Sequence, residues 1–185
     1  ANIPVSYPSL HEQQKIASFL TAVDNKLQAL KMKKSLLERY KKGVMQKIFI
    51  QELRFKADDG SEFPEWDEKK LGEIAKFSKG KGISKAEIDV NGAIECIRYG
   101  ELYTIYGETI NVVSSRTNNK PKDLVFSESN DVIIPASGET QLGIATASCV
   151  LRAGIALGGD LNIIRSNNNG VFLSYYLNNR KKLEI

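Results

Sequence analysis

Histidine occurs once, at His11, tryptophan once, at Trp66, and cysteine twice, at Cys96 and Cys149. A lone histidine removes most imidazole acid–base catalysis and most transition-metal ligation. The two cysteines lie in apolar surroundings, far from each other and from the histidine. They therefore predict buried thiols, not a disulfide framework or a zinc site. No apolar run approaches the roughly 18 residues of a membrane span. The start, Ala1 to Pro4, has neither the basic flank nor the apolar stretch of a signal peptide. A cytoplasmic protein with no membrane contact is expected.

What is present can fold. The chain has 185 residues and 20.6 kDa, with 42% hydrophobic and 26% charged residues. That is room for one domain plus an extended element, and enough apolar content for an ordinary core. The net charge of +4 is unevenly spread. Residues 1–56 hold eleven Lys and Arg against four acids, and residues 57–185 hold fifteen against eighteen. Six of those acids, Asp58, Asp59, Glu62, Glu65, Asp67 and Glu68, form one short stretch. The expected division is a helical segment 1–56, an acidic linker 57–68 and a globular domain 69–185.

Pro4 and Pro8 keep the start extended, and Ser9 followed three residues later by Glu12 is a capping-box signal. A helix is predicted from Leu10 to about Gln51. Within it Ile16, Leu20, Val23, Leu27, Leu30, Leu37, Val44 and Ile48 follow a spacing of alternating four and three, the pattern of a coiled-coil seam. Lys34 and Lys41 fill two seam positions and weaken it, favouring an antiparallel or specifically charged partner. Leu36 and Tyr40 lie off the seam and offer a second contact face.

Beyond Gly60 and Pro64 the apolar period shortens to that of strands. Strands are predicted at Glu73 to Ser78, Ile94 to Arg98, Thr109 to Ser114, Asp131 to Ala136, Ile144 to Leu151 and Leu161 to Arg165. Polar loops are expected over Ser115 to Asp123 and Ser127 to Asn130, and a final helix from Val171 to about Leu183, opened by Gly170. The fold class is α+β: a long coiled-coil-forming helix, then a strand-rich domain with a C-terminal helix. Trp66 and Tyr99 are expected in the core.

Catalytic patterns are weak. Asp58 or Asp59 with Glu68, Lys69 and Lys70 imitates a nuclease metal set, but these residues fall in an acid-rich loop instead of on adjacent strand positions. Lys79-Gly80-Lys81-Gly82-Ile83-Ser84-Lys85 lacks nucleotide-loop spacing and reads as a flexible basic loop. Ser137-Gly138-Glu139-Thr140 has no histidine to activate its serine. There is no Asn-Pro-Pro-aromatic segment for adenine methyl transfer and no dinucleotide fingerprint. A non-catalytic chain is expected, with no metal and no cofactor of its own.

Several stretches nevertheless carry a resemblance. Ile3-Pro4 to Pro8, Glu12-Gln13-Gln14-Lys15-Ile16-Ala17, Leu36-Leu37, Tyr40-Lys41-Lys42-Gly43, Gln46-Lys47-Ile48-Phe49 and Gln51-Glu52-Leu53-Arg54-Phe55 resemble the central conserved region of type I restriction-modification specificity subunits. Phe63-Pro64-Glu65-Trp66 and Lys70-Leu71-Gly72-Glu73-Ile74 look like the opening of that family's target recognition domain. Ile97-Arg98-Tyr99-Gly100-Glu101, Asp131-Val132-Ile133-Ile134 and Tyr175-Tyr176-Leu177 continue the pattern.

The resemblance implies a subunit that recognises double-stranded DNA and has no chemistry of its own. It would direct adenine methylation and cleavage by partner subunits to a split target sequence. It implies an adenine methyltransferase (modification) subunit docked on the helix, a restriction and motor subunit held indirectly, and S-adenosylmethionine, ATP and Mg in those partners. Family members pack two conserved helices antiparallel with a recognition domain at each end. This sequence has one helix and one domain, so it is expected to be a half-size homologue, a truncated product or a fragment. A half-size chain would form a homodimer through its helix and read an interrupted palindrome. Phosphate contacts are assigned to Lys76, Lys79, Lys81 and Lys85, with Arg116, Lys120 and Lys122 available from loops. Base-edge contacts are assigned to Arg98, Asn118, Asn119, Glu139, Thr140 and Gln141. The rival expectation is a coiled-coil interaction module that assembles or inhibits a complex without touching DNA.

Overall fold

A computed structural model describes residues 4–6, 8–137 and 146–180. The chain divides into two compact units, Ala1–Arg54 and Phe55–Ile185.

The first unit is built on one helix, α1 (Leu10–Phe49), 40 residues long and hence about 60 Å from end to end. The Ser9 side chain accepts a hydrogen bond from the Glu12 backbone N–H at 3.4 Å, as the capping signal predicts. Gln13 Nε2 adds a bond to the Pro8 carbonyl at 2.7 Å. The helix stops two residues before the expected end, because Gln51 turns left-handed at φ 61° while its N–H bonds back to Ile48 O. No residue of α1 is buried. Along the seam Ile16, Leu20, Val23, Leu27, Leu30 and Leu37 are 41–56% exposed. Lys34, inside the seam, is tied to Glu38 one turn on at 3.8 Å.

The second unit packs two sheets. One turn of helix, α2 (Leu71–Ile74), precedes β1 (Lys76–Lys79). The chain continues through β2 (Ile94–Ile97), the short helix α3 (Glu101–Thr104), β3 (Thr109–Ile110), β4 (Ser115–Thr117), β5 (Asp131–Pro135), β6 (Ser148–Val150), β7 (Ala156–Leu157) and β8 (Leu161–Arg165), and reaches helix α4 (Gly170–Arg180). Five strands form a sheet in the order β1-β8-β5-β6-β3, and three form another in the order β4-β2-β7. Among the described residues only the β3·β6 and β2·β7 pairs are parallel.

The inner strands of the five-stranded sheet are buried on both faces, which is why β5 and β8 read as nearly continuous apolar runs instead of alternating ones. Ile133, Val150 and Ile163 point to one face and meet Ile97 and Leu157 of the second sheet, with Leu102, Ile110, Ile155 and Leu161. Val132, Cys149 and Ile164 point to the other face and meet Leu173 and Leu177 of α4. Helix α4 starts where Asn169 accepts the Phe172 N–H at 2.9 Å. Asn178 fastens it to the sheet through two bonds to the Ala147 backbone, at 2.7 and 2.9 Å. Both thiols are fully buried, as expected. Burial pushes Cys96 and Cys149 up to about 11, so neither is a nucleophile near neutral pH.

The structure corrects several expectations. Leu71–Ile74 is helical, with Glu73 reaching back to the Lys70 N–H at 3.3 Å, so the strand expected from Glu73 begins only at Lys76. The strand expected over Thr109 to Ser114 is two residues long, because Ser114 N–H donates to Tyr106 Oη at 2.9 Å and the chain turns. The expected loop Ser115 to Asp123 contains β4 and a 3-10 turn at Pro121–Asp123. Of the strand expected over Ile144 to Leu151, Ser148–Val150 is strand, and residues 144–145 lie outside the described residues. So does the end of the final helix beyond Arg180. The acidic segment is not a bare linker: Lys56 and Glu62 pair as a β-bridge and as ions at 2.7 Å. Trp66 and Tyr99 are 40% and 38% exposed, not core. Trp66 packs edge-on against Phe172, with centroids 5.8 Å apart. Among the described residues no helix is long and apolar enough to cross a membrane.

Candidate nucleic-acid interface

The basic loop after β1 is anchored, not flexible. Gly80 N–H donates to Leu161 O and Lys81 N–H to Leu157 O, while Gly82 O accepts from Gly159, each at 2.9 Å. Gly80 is a glycine because a Cβ there would lie 2.0 Å from Gly158 O. Gly82 and Ile83 follow in left-handed conformation at φ 63° and 66°. For a β-branched residue that geometry costs about 1–2 kcal/mol, and Ile83 holds it while only 5% exposed. Packing against Cys96, Leu124 and Ala156 fixes it there.

This corner opens into a groove of about 580 Å³, lined by Gly82, Ile83, Ser84, Lys85, Glu87, Arg98, Tyr99, Gly158, Gly159 and Asp160. Lys76, Lys79 and Lys81 stand exposed on β1 and the loop that follows it. Neither they nor Lys85 and Lys120 make an ion pair among the described residues. Tyr99 stacks edge-on with Tyr103, centroids 6.2 Å apart. Glu87 stands on the groove rim as an anion with both oxygens in use. Its Oε2 accepts from Ser84 N–H at 2.6 Å and its Oε1 from Asn119 Nδ2 at 2.7 Å. These bonds, Ser84's first, hold its carboxyl below the usual range.

The expected site residues separate into groups. Lys79, Lys81, Lys85 and Arg98 gather on or beside the groove. Arg116, Asn118 and Asn119 are drawn into the scaffold. Arg116 bonds Gly92 O through Nε at 2.5 Å and Ala93 O through Nη2 at 3.1 Å. Asn118 accepts from Ala93 N–H at 3.0 Å and donates to Asp89 Oδ2 at 2.6 Å, so both ends of its amide are in use. Lys120 is exposed, just ahead of the Pro121–Asp123 turn. Glu139, Thr140 and Gln141 lie outside the described residues. The sequence reading assigns no site role to Tyr103 or Glu101, and it places Tyr99 in the core, whereas Tyr99 lines the groove beside Arg98 at the end of β2.

Arg98 is held by a buried carboxylate. Glu101, with a side chain only 5% exposed, lies 3.5 Å from Arg98 Nε through Oε1. Its Oε1 also accepts from Ser115 Oγ at 2.6 Å, and its Oε2 from the Arg98 backbone N–H at 3.1 Å. Among the described residues no group of three His, Cys, Asp or Glu side chains could hold a metal ion. Asp59 is instead a turn residue, accepting the Ser61 N–H at 2.9 Å.

A long helix with an uncovered apolar seam, followed in the chain by a two-sheet domain whose groove sets Lys85 and Arg98 among Glu87 and Asp160 and has exposed lysines on the adjoining loop, defines the class of architecture. Residues 1–39 match the type I restriction modification DNA specificity domain family. The chain is 29% identical over 155 residues to the type I restriction enzyme MjaVIII specificity subunit of Methanocaldococcus jannaschii, covering 77% of this chain and 36% of that protein. Its fold is similar to that of the HsdS subunit of Thermoanaerobacter tengcongensis, with TM-score 0.52, 15% identity and coverage of 95% of this chain and 42% of that one. It is equally similar to the type I restriction-modification S subunit from M. genitalium, with TM-score 0.53, 18% identity and coverage of 94% and 43%. The chain is thus similar in sequence to type I restriction-modification specificity subunits and shares their fold. It covers 36–43% of the length of these relatives.

Proposed function

We propose that this chain is the sequence-reading part of a type I restriction-modification complex, binding double-stranded DNA and supplying no catalytic group. The observation that carries the reading is the groove: unpaired lysines on an anchored loop beside an arginine whose root is fixed. Lysines of this kind meet phosphate oxygens, and a fixed arginine can read a base edge. Adenine methylation and DNA cleavage belong to partner subunits, which bring S-adenosylmethionine, ATP and magnesium. The α1 seam is the assembly surface, and a second copy of the chain is its proposed partner.

Binding to random duplex at increasing salt, followed by selection and sequencing, tests the reading. Salt-sensitive binding and one enriched motif are expected. An interaction module that ignores DNA would give neither. With S-adenosylmethionine, ATP and magnesium supplied, the purified chain alone is expected to leave DNA unmethylated and uncut, and the cognate methyltransferase subunit should restore adenine methylation.

The lysines and the arginine should differ in kind. Replacing Lys79 and Lys81 by alanine is expected to weaken binding to all sequences alike. The slope of log affinity against log salt should fall by about 1.8 for each reader on the DNA, close to 0.9 for each phosphate no longer neutralised. A changed motif with unchanged nonspecific affinity would reverse the assignment of these lysines to phosphate.

A further inference from the structure

Arg98 has a buried Nε that makes no hydrogen bond, while its side chain, 26% exposed, lines the groove. No hydrogen bond occupies its terminal nitrogens among the described residues. The nearest charge is Glu101, which is almost fully buried and cannot itself reach a ligand. Both Glu101 oxygens are already held, one by Ser115 Oγ and the other by the Arg98 backbone. Such a carboxylate is a fixed negative point. It attracts the inner edge of the guanidinium and leaves the two terminal nitrogens available to a ligand in the groove that Arg98 lines.

We infer that Glu101 is a positioning residue for base recognition: it holds the root of Arg98 so that the two terminal nitrogens present a fork to one base pair. This rests on the DNA-reading function proposed above. A two-donor fork matches the two acceptors, O6 and N7, that guanine shows in the major groove. The arginine is therefore expected to read a G·C pair, with Glu101 setting how sharply it does so. Ser115 belongs to the same device, since its hydroxyl fixes the carboxylate that fixes the arginine.

The test compares Glu101→Gln, Arg98→Ala and the double variant in the full chain, by binding competition among duplexes that differ at one base pair. Arg98→Ala should relax preference at a single G·C position. Glu101→Gln, which keeps the shape and removes the charge, should lose about tenfold of that discrimination at the same position, with salt slope and nonspecific affinity unchanged. In the Arg98→Ala background it should have no further effect, a non-additivity that general loss of structure would not produce. Exchange of the Arg98 Nε–H with water, followed by nitrogen-15 NMR without DNA, should be slow in the parent and fast in Glu101→Gln. Equal exchange in the two proteins, full discrimination in Glu101→Gln, equal losses with and without Arg98, or a relaxed position other than G·C would overturn the inference. A parent chain that binds no duplex would instead bring down the DNA reading, and the exchange measurement would still decide whether Glu101 positions Arg98.

Discussion

Replacing Asp131 by alanine is expected to destabilise the sheet domain by about 3 kcal/mol, the lower end of the range for breaking a buried ion pair. Asp131 is 1% exposed and grips Arg165 with both oxygens, Nε to Oδ1 at 2.8 Å and Nη2 to Oδ2 at 2.7 Å. The same carboxylate also accepts the Glu128 N–H at 2.8 Å, closing the turn into β5. Those hydrogen bonds push the Arg165 guanidinium still higher than its ordinary value, so it stays charged and would be left with Glu128 alone, at 2.6 Å. Arg165 is 36% exposed, and water reaching it is the reason for choosing the lower end of the range. The expected loss corresponds to a drop in melting temperature of about 10 °C for a domain of this size. Changing Arg165 to leucine in the Asp131→Ala background should recover part of it, because the stranded charge is then gone. Thermal and urea unfolding of the three variants check this, and an Asp131→Ala protein within about 0.5 kcal/mol of the parent would remove the pair from the account of stability.

The sequence exposed long-range order better than local pairing. Helix α1 begins where Ser9 and Glu12 place it, because capping and heptad spacing are local signals that nothing else in the chain competes with. Strands β5 and β8 were legible because burial on both faces makes them continuous apolar runs. Strands β4 and β7 were not, since each is only two or three residues long and is defined by what it pairs with. Ser115–Thr117 is a strand because Arg116 is opposite Glu95 and Thr117 opposite Ile94, and that register leaves no mark in a polar segment.

The same limit governs the site. The lysines of the β1 loop could be found by counting charge, but the reason for its glycines could not, because the atom that excludes a side chain at Gly80 is the carbonyl oxygen of Gly158, far along the chain. Arg116, Asn118 and Asn119 have the chemistry of base readers. Their partners Gly92, Ala93, Asp89 and Glu87 come from a distant turn. Side-chain chemistry names what a residue can bond, and the fold decides what it does bond.

The largest effect on function is expected from the α1 seam. Replacing Leu27 and Leu30 by glutamate puts charges in the middle of the apolar strip, at positions 50% and 52% exposed. Glutamate is nearly as good a helix former as leucine. No residue of α1 is buried within its own unit, so the helix and the sheet domain should keep their stability while the association of two copies is abolished. Two identical readers joined by a two-fold bind an inverted repeat together, and the second binding event gains from the first by effective concentration. Separating them should therefore lower affinity for the selected site by about 10² to 10⁴ and roughly halve its salt slope, since half of the neutralised phosphates are given up. Affinity for a single half-site should be unchanged, which separates failed assembly from damaged recognition. Lys34 and Lys41 within the seam argue for pairing that is specific and not especially tight. Light scattering on the parent chain should show a dimer at micromolar concentration, and the selected motif should be an interrupted palindrome. A strictly monomeric parent, or a motif with two unlike halves, would mean that the helix covering this seam belongs to a different sequence and that the chain works as one half of a larger reader.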